Sequence, residues 1–428
     1  MSTYSLSSSS PSVPPEIWLQ IFRTVTFVDG EYGVSATPSH PDEFSSFNRL
    51  QVQAYKAVLP LRRAIVQVSR LWWQIGTEVL YTSFHESRSH QSRTQALDHL
   101  ERSLLSRPAL GWLIKRLGLR WPRKGSSSQI DHILQLCPNT RILSFYYTDP
   151  ALHGPWEPRI LVNHVRIFDA NVRELSQKCI VHMLSSLPNL EMVHLSSLKL
   201  GDEESRYHGT LRLPLVHFLS LWFAGAQAIE YWTPLLSTAD IPHLTSLSTN
   251  QGKVSLPLSI DVWRRITFFT FPVEGYGVFN PGIFRSLTRL QMDLPTGTRR
   301  HHLSHFPFHQ LSHLTMIYRS MQYDCVSPWK QTLEVFLGLE MPRLRVVELL
   351  WGYGGIHSSV TSTTRRERGL EAFFDYLESR AHKFEQVGVQ FQEVYPWNIY
   401  RVPTPIKDVI KSARDKLAIR LALPFSAP

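Results

Sequence analysis

The stretches LPNLEMVHL at 187–195 and MPRLRVVEL at 341–349 carry the same chemistry at the same offsets: a proline two residues ahead of a leucine that opens an apolar triplet. With Leu190 and Leu344 as position 1, the triplets are completed at positions 4 and 6 by Val193 and Leu195, and by Val347 and Leu349. Outward from these two, the same spacing recurs at Val216, Leu219, Leu221; Leu287, Leu290, Met292; and Leu311, Leu314, Met316. Weaker copies fill the gaps at Ile114, Leu117, Leu119; Thr140, Leu143, Phe145; Val162, Val165, Ile167; Leu244, Leu247, Thr249; Ile266, Phe269, Phe271; and Phe384, Val387, Val389. From first position to first position these units are spaced 26, 22, 28, 26, 28, 22, 21, 24, 33 and 40 residues, and the first eight intervals suit one strand plus one helix per repeat.

Proline stands two residues before position 1 at Pro138, Pro188, Pro214, Pro242 and Pro342, so each of those units turns at the same place. Proline disfavours helix at the residue before it, which predicts that the preceding helix ends where the next strand begins. Side chains at positions 4 and 6 of a short strand point to one side and those at 3, 5 and 7 to the other. Burial of positions 4 and 6 contributes roughly 1.5 to 3 kcal/mol per side chain. No unit buries its apolar side alone, and stacking is expected to hold the array together.

In these motifs the chain resembles the leucine-rich-repeat family in its irregular intracellular form, although the asparagine the family places about four residues after position 6 is mostly missing. The resemblance implies an α/β solenoid with one short parallel strand and a helix or loop per repeat. Its concave face would be lined by positions 3, 5 and 7 and would bind a protein target. Aromatic and arginine side chains dominate interface energetics, so the expected anchors are Arg116, Arg120, Tyr146, Arg166, Phe168, Phe218, Trp222, Phe268 and Arg289. The long interval after Leu349, from Gly352 to Arg368, reads as an insertion on one side of the array.

Ahead of the array, VPPEIWLQIF at 13–22 places two prolines at a helix start, Glu16 against the positive end of the helix dipole, and Ile17, Ile21 and Phe22 on one apolar face. A Gly, Pro and Ser-rich interruption from about residue 28 to 48 follows. Helical pattern then returns and reaches VSRLWWQIGTEVLY at 68–81, with Val68, Leu71, Trp72, Ile75, Val79 and Leu80 as its stripe. The pair resembles an F-box, with Val13-Pro14-Pro15-Glu16-Ile17 and Val68-Ser69-Arg70-Leu71-Trp72 as its two motifs. That resemblance implies docking on the Skp-type adaptor of a cullin ubiquitin ligase through Pro14, Ile17, Ile21 and Phe22, with the repeats recruiting the target. The other reading of the same helices is a cap on a binding scaffold unconnected with a ligase.

The expected organisation is a serine-rich tail at 1–12, the helical module at 13–84, the repeats at 85–395, and an amphipathic cap helix and tail at 396–428. An apolar fraction of 43% against 19% charged residues places the chain among folded proteins. The serine-rich start lacks the basic and apolar regions of a secretory leader, and Cys137, Cys179 and Cys325 form no CxxC pair, so an intracellular protein, cytoplasmic or nuclear, is expected. The apolar run Leu213 to Ile229, broken by Pro214, His217 and Gly225, reads as a buried strand passing into a helix, not a membrane span.

Little in the chain points to chemistry. His301, His302, His305, His309 and His313 recur at short intervals, but Pro307 would break a helix that aligned them, and no metal site is expected. Basic clusters at Lys115, Arg116, Arg120, Arg123, Lys124 and at Arg365, Arg366, Arg368 read as solvated faces, and they lack the interleaved aromatics of a nucleic-acid platform. No phosphate-binding glycine loop, GxSxG or HExxH occurs, so neither an enzyme nor a cofactor site is expected.

Overall fold

The structure, a computed structural model, describes residues 13–26, 57–86, 93–121, 127–146, 156–173, 175–201, 204, 206–250, 256, 258–272, 284–294, 309–318, 343–352 and 386–392. The chain divides into two compact lobes, Met1–Leu195 and Ser196–Pro428. The first holds helices α1 (Pro15–Val25), α2 (57–68) and α3 (Arg70–Tyr81), then β1 (Ser83–His85), α4 (Arg93–Ser106), a 3-10 turn at Pro108–Leu113, β2 (Arg116–Arg120), α5 (Ser127–Leu136), β3 (Ile142–Tyr146), β4 (Ile167–Asn171) and α6 (Gln177–Ser185). The division between the lobes falls within β5 (Met192–Leu198). The second lobe continues with β6 (Phe218–Phe223), α7 (Ala226–Ser237), β7 (Ser246–Thr249), α8 (Ile260–Arg265), β8 (Phe268–Pro272), β9 (Arg289–Leu294), β10 (His313–Tyr318), β11 (Val346–Gly352) and β12 (Gln386–Gln392).

Within each lobe the strands pair in parallel with their neighbours in sequence. In the first lobe β1 pairs with β2, β2 with β3 and β3 with β4. In the second the pairing runs unbroken from β6 to β12. A parallel sheet wound in both directions would reverse its strand order at some point. Strictly sequential order is instead what stacked repeats produce when each adds one strand to the last. The strand Ser83–His85 straddles the expected boundary at residues 84 and 85 and adds a strand ahead of the first triplet.

The register places position 4 of every repeat side by side. Leu117 lies opposite Leu143 in the first lobe, and Leu219, Leu247, Phe269, Leu290, Leu314, Val347 and Val387 form the row in the second. One unit departs from the sequence reading. Leu143 pairs with Phe168, not Val165, so the triplet of β4 is Val165, Phe168 and Ala170. Phe168 is therefore a fully buried core side chain, its ring 6.1 Å from Phe145, and not a concave-face anchor. The shift also makes the array more regular: Leu117, Leu143, Phe168, Val193 and Leu219 follow one another at 26, 25, 25 and 26 residues.

The prolines that mark the units have a sharper role than ending helices. Thr140, Leu190, Val216 and Leu244 each donate a backbone N–H to the carbonyl three residues back, on Cys137, Leu187, Leu213 and Ile241. Pro138, Pro188, Pro214 and Pro242 are thus the second residue of a β-turn, where a fixed φ near −65° is already the required one. The start of each strand is pinned as well. At position 2 the carbonyl of Lys115, Arg141 and Arg166 accepts two N–H groups from the next strand, and His217, Thr245, Thr267, Thr288 and Ser312 do the same in the second lobe.

In the second lobe hydroxyls reinforce this ladder. Thr245, Thr267, Thr288 and Ser312 each donate the side-chain hydroxyl to the carbonyl of the preceding rung, at 3.3, 3.2, 3.1 and 3.1 Å. These rungs tie successive repeats together at the strand starts. The first lobe has charged residues at the same position: Lys115, Arg141, Arg166 and Glu191.

Aromatic side chains fill the space between strands and helices. In the first lobe Trp121 stacks on Phe145 at 4.4 Å, and the fully buried Trp156 donates its indole N–H to Asp131 Oδ1 at 2.7 Å. The other oxygen of Asp131 accepts from the backbone of Arg159, so this buried carboxylate fastens an irregular segment to α5. In the second lobe Trp263, Phe269 and Phe284 meet at 5.1 to 5.7 Å. The run Leu213 to Ile229 becomes β6 followed by α7, and no described helix is long and apolar enough to cross a membrane. The tail at 1–12, the interruption at 28–48, the insertion from Gly352, the cap helix at 396–428 and the cluster Arg365, Arg366 and Arg368 lie wholly or almost wholly outside the described residues.

Candidate interaction surfaces

Helix α1 is apolar on two sides. Residues four apart on a helix are separated by about 40° and residues five apart by about 140°, so Trp18 and Phe22 share one face while Ile17 and Ile21 occupy another. Trp18 and Phe22 pack on Trp72 of α3 at 4.9 and 4.8 Å, in a core completed by Ile65, Ile75 and Val79. Phe22, 2% exposed, is thus a core residue and is unavailable to a partner, which corrects its assignment as an adaptor contact. On the adjoining face Ile17, Ile21 and Val25 form an uncovered stripe, 46%, 40% and 52% exposed, and Pro14 is exposed beside it. Pro14 also opens the helix, its carbonyl accepting from Ile17 and Trp18.

The α1–α3 pair is held by more than its rings. Arg23 is ion-paired with Glu78, the buried Arg62 donates to the Thr26 carbonyl at 2.8 Å, and Ser69 caps α3 by accepting from the Trp72 N–H at 3.1 Å. Only Thr82 separates α3 from β1. Its hydroxyl donates to the Glu78 carbonyl, and its own carbonyl accepts from Lys115 and Arg116.

The strand face bearing positions 3, 5 and 7 mixes apolar residues at position 3 with polar ones at position 5, and is largely buried within the chain. Position 5 is Ser144, Asp169 and His194 on β3 to β5, and Ser220, Ser248, Thr270, Gln291 and Thr315 on β6 to β10, every one of them buried. Arg116 and Arg120, expected both as anchors and as part of a solvated cluster, are buried on β2. The backbone N–H of Arg120 donates to Glu86 Oε2 at 2.9 Å, and the Arg116 charge acts on Asp169.

Beside them His194 Nε2 lies 3.8 Å from Asp169 Oδ1. Burial pushes the Asp169 carboxyl up to about 7, with Arg116 opposing the rise, and burial pushes the His194 imidazole down to about 4. Burial thus works against the charged form of each.

Among the remaining expected anchors, Phe218 and Phe268 are at position 3 but buried, whereas Trp222 and Arg289 are half-buried. Phe268 and Arg289 are register partners, the guanidinium carbon 5.8 Å from the ring centre. Arg166, displaced by the three-residue shift of β4, sits at position 2 beside the strand start, not at position 5. The backbone of Tyr146 pairs with Arg120, and its side chain lies outside the described residues. Sequence periodicity missed Val25, which follows Ile21 by four residues, and Trp112, 59% exposed on the 3-10 turn, where no periodic signal exists.

No group of three or more His, Cys, Asp or Glu is placed to hold a metal among the described residues. His309 lies in a turn and His313 opens β10, whereas His301, His302 and His305 lie outside those residues, as do Cys325, Arg123 and Lys124. Burial pushes the Cys137 thiol up to about 12, away from reactivity, and Cys179 is half-buried on α6.

No family model matches the chain, and no curated protein matches it. Among solved structures, an internalin from Listeria monocytogenes is similar at 10% identity over 82% of this chain and 91% of that one, with a TM-score of 0.29.

Proposed function

We propose that the chain is a recruiting subunit: its N-terminal helices dock on the Skp-type adaptor of a cullin ubiquitin ligase while the repeats hold a protein target for modification by another subunit. The observation that carries this reading is the uncovered stripe Ile17, Ile21 and Val25 on a helix whose other face is fully occupied by Trp72 and its neighbours. A short helix that exposes apolar side chains at i, i+4 and i+8 presents the pattern of a helix that inserts into a groove. The resemblance of residues 13–17 and 68–72 to the two halves of an F-box supplies the kind of partner. On this reading the protein performs no reaction of its own, needs no cofactor and works inside the cell.

The test is capture of a Skp-type adaptor by the full chain and by Ile17→Asp with Ile21→Asp. Both positions are exposed, so this variant keeps its fold and is expected to lose capture at least tenfold. Failure of the wild-type chain to capture the adaptor, with its melting temperature showing it to be folded, removes the ligase reading.

A second reading is favoured by the join at Thr82, which runs α3 directly into the first strand and makes the helices a cap on the array. A scaffold that only binds and never delivers a target for modification fits that join equally well. Equal capture by wild type and the double aspartate variant would leave the cap as the sole role of these helices.

A further inference from the structure

The first lobe carries a row of positive charge along one rim, of which only the Arg166 end is engaged within the chain, by Glu191 and the Asn189 carbonyl. Lys115, Arg141 and Arg166 occupy position 2 of successive repeats, joined through their own backbones: Arg141 and Ile142 donate to the Lys115 carbonyl, and Arg166 and Ile167 donate to the Arg141 carbonyl. Neighbouring parallel strands are about 4.8 Å apart, so the row spans about 10 Å along one rim of the sheet. Glu191 ends it, pairing with Arg166 at 3.4 Å. Among the described residues neither Lys115 nor Arg141 has an ion-pair partner, and Arg141 is exposed while Lys115 is half-buried.

In the second lobe the same position does structural work through the hydroxyls of Thr245, Thr267, Thr288 and Ser312, which close onto the preceding carbonyl. Lysine and arginine close no such rung, and like charges on adjacent strands repel. The row therefore costs stability in the isolated chain, and a negatively charged partner laid along it would relieve that cost.

We infer that the rim formed by Lys115, Arg141 and Arg166 docks a short acidic peptide segment of a protein partner, with Trp112 beside it as an apolar anchor. Trp112, exposed three residues ahead of Lys115, is tied to the turn that leads to Arg141: the Asn139 side chain donates to its carbonyl at 2.6 Å. Its ring is the kind of exposed aromatic that dominates interface energetics. A span of about 10 Å matches about three residues of extended chain, so the segment needs only three or four acidic side chains. One aromatic residue beside the row gives no stacking series of the kind that single-stranded nucleic acid uses, which favours peptide. The inference rests on reading the repeats as a partner-binding surface and is independent of adaptor docking.

The test uses the full chain and a fluorescein-labelled octaglutamate peptide, followed by fluorescence polarisation at low and at physiological salt. Wild type is expected to bind, with affinity falling as salt rises. Lys115→Gln with Arg141→Gln is expected to weaken binding roughly tenfold or more, with a melting temperature unchanged or raised because repulsion has been removed. Arg345→Gln, at the same repeat position just ahead of β11, is expected to bind as wild type does. The charge-preserving pair Lys115→Arg and Arg141→Lys keeps the outcome readable if the glutamine variant fails to fold, and it is expected to retain binding.

Absence of binding by wild type overturns the inference, as does equal binding by the glutamine variant. It is also overturned if a single-stranded oligonucleotide of equal charge binds more tightly than the peptide and is lost in that variant. Adaptor capture by the glutamine variant is expected to be unchanged, which separates failure here from failure of the ligase reading.

Discussion

At the scale of single residues, the buried pair Asp169 and His194 makes a pH prediction with a definite sign. Between its ordinary 3.8 and about 7, Asp169 holds in the folded state a proton that the unfolded chain has released, so its contribution falls as pH rises. Between about 4 and its ordinary 6.5, His194 refuses in the folded state a proton that the unfolded chain binds, so its contribution grows as pH rises. The two slopes oppose each other across roughly pH 4 to 6.5, and only the Asp169 slope remains near pH 7. His194→Gln is expected to expose a stability that falls steadily from pH 4 to 7, and Asp169→Asn one that rises from pH 4 to 6.5. Urea unfolding at a series of pH values checks both, and parallel profiles for the two variants would contradict the pairing.

Two further side chains can be read individually. Phe22→Ala opens a cavity against Trp18 and Trp72 and is expected to cost about 3 to 5 kcal/mol, whereas Ile17→Ala on the exposed stripe of the same helix is expected to cost under about 1 kcal/mol. Chemical denaturation of the two variants measures the contrast. Sequence alone put Ile17, Ile21 and Phe22 together because all three are apolar and closely spaced. Helix geometry already sets Ile17 and Phe22 about 140° apart; which of the two faces is covered is decided by α3, a fact about packing that a single helix cannot reveal.

At the scale of elements, the hydroxyl rungs of the second lobe contribute where side-chain packing does not. Each is a hydrogen bond between neutral groups, for which the net contribution is about 0.5 to 1.5 kcal/mol. Thr267→Val keeps the shape and removes one rung, and it is expected to lower stability by about 1 kcal/mol; Thr288→Val should do the same. Their effects need not add, because the Thr267 carbonyl accepts the Thr288 hydroxyl and the two share a group. A double-mutant cycle by thermal unfolding reads that coupling.

Strands were legible where position 4 and position 6 are both large and apolar, as in Val193 with Leu195 or Leu314 with Met316. They were misread in β4 because Val162, Val165 and Ile167 form a decoy triplet three residues early, while the true unit has the small Ala170 at position 6. Even spacing would have exposed the decoy, since the true unit divides the interval from Leu143 to Val193 equally. Strand β1, with Phe84 as its one large apolar residue, is too short to announce itself by periodicity. The burial of position 5 was not legible at all. Alternation tells which side of a strand a residue faces, not how much of that side is covered by the rest of the chain.

At the scale of the whole molecule, sequential parallel strands mean that within each lobe a repeat touches chiefly its neighbours, so the stability of each lobe is expected to behave as a sum of repeat and interface contributions. Destabilising substitutions near β9 should therefore loosen nearby strands before distant ones. Hydrogen exchange of Leu290→Ala, which removes a buried position-4 side chain, is expected to show faster exchange in β8 to β10 than in β2 and β3. Uniform acceleration throughout the chain would show a single cooperative unit instead.

The join at Thr82 acts as a bracket. With one residue between α3 and β1, and with that residue bonded on both sides, there is no hinge at this place. A body seated on α1 would hold the first repeats at a set angle, and delivery of a target to a distant reaction centre would depend on that angle as much as on either grip. Inserting a short glycine–serine spacer after Thr82 is then expected to leave both grips intact while sharply reducing target modification in a reconstituted reaction. The protein would be working as a ruler, and the spacer would remove its straight edge.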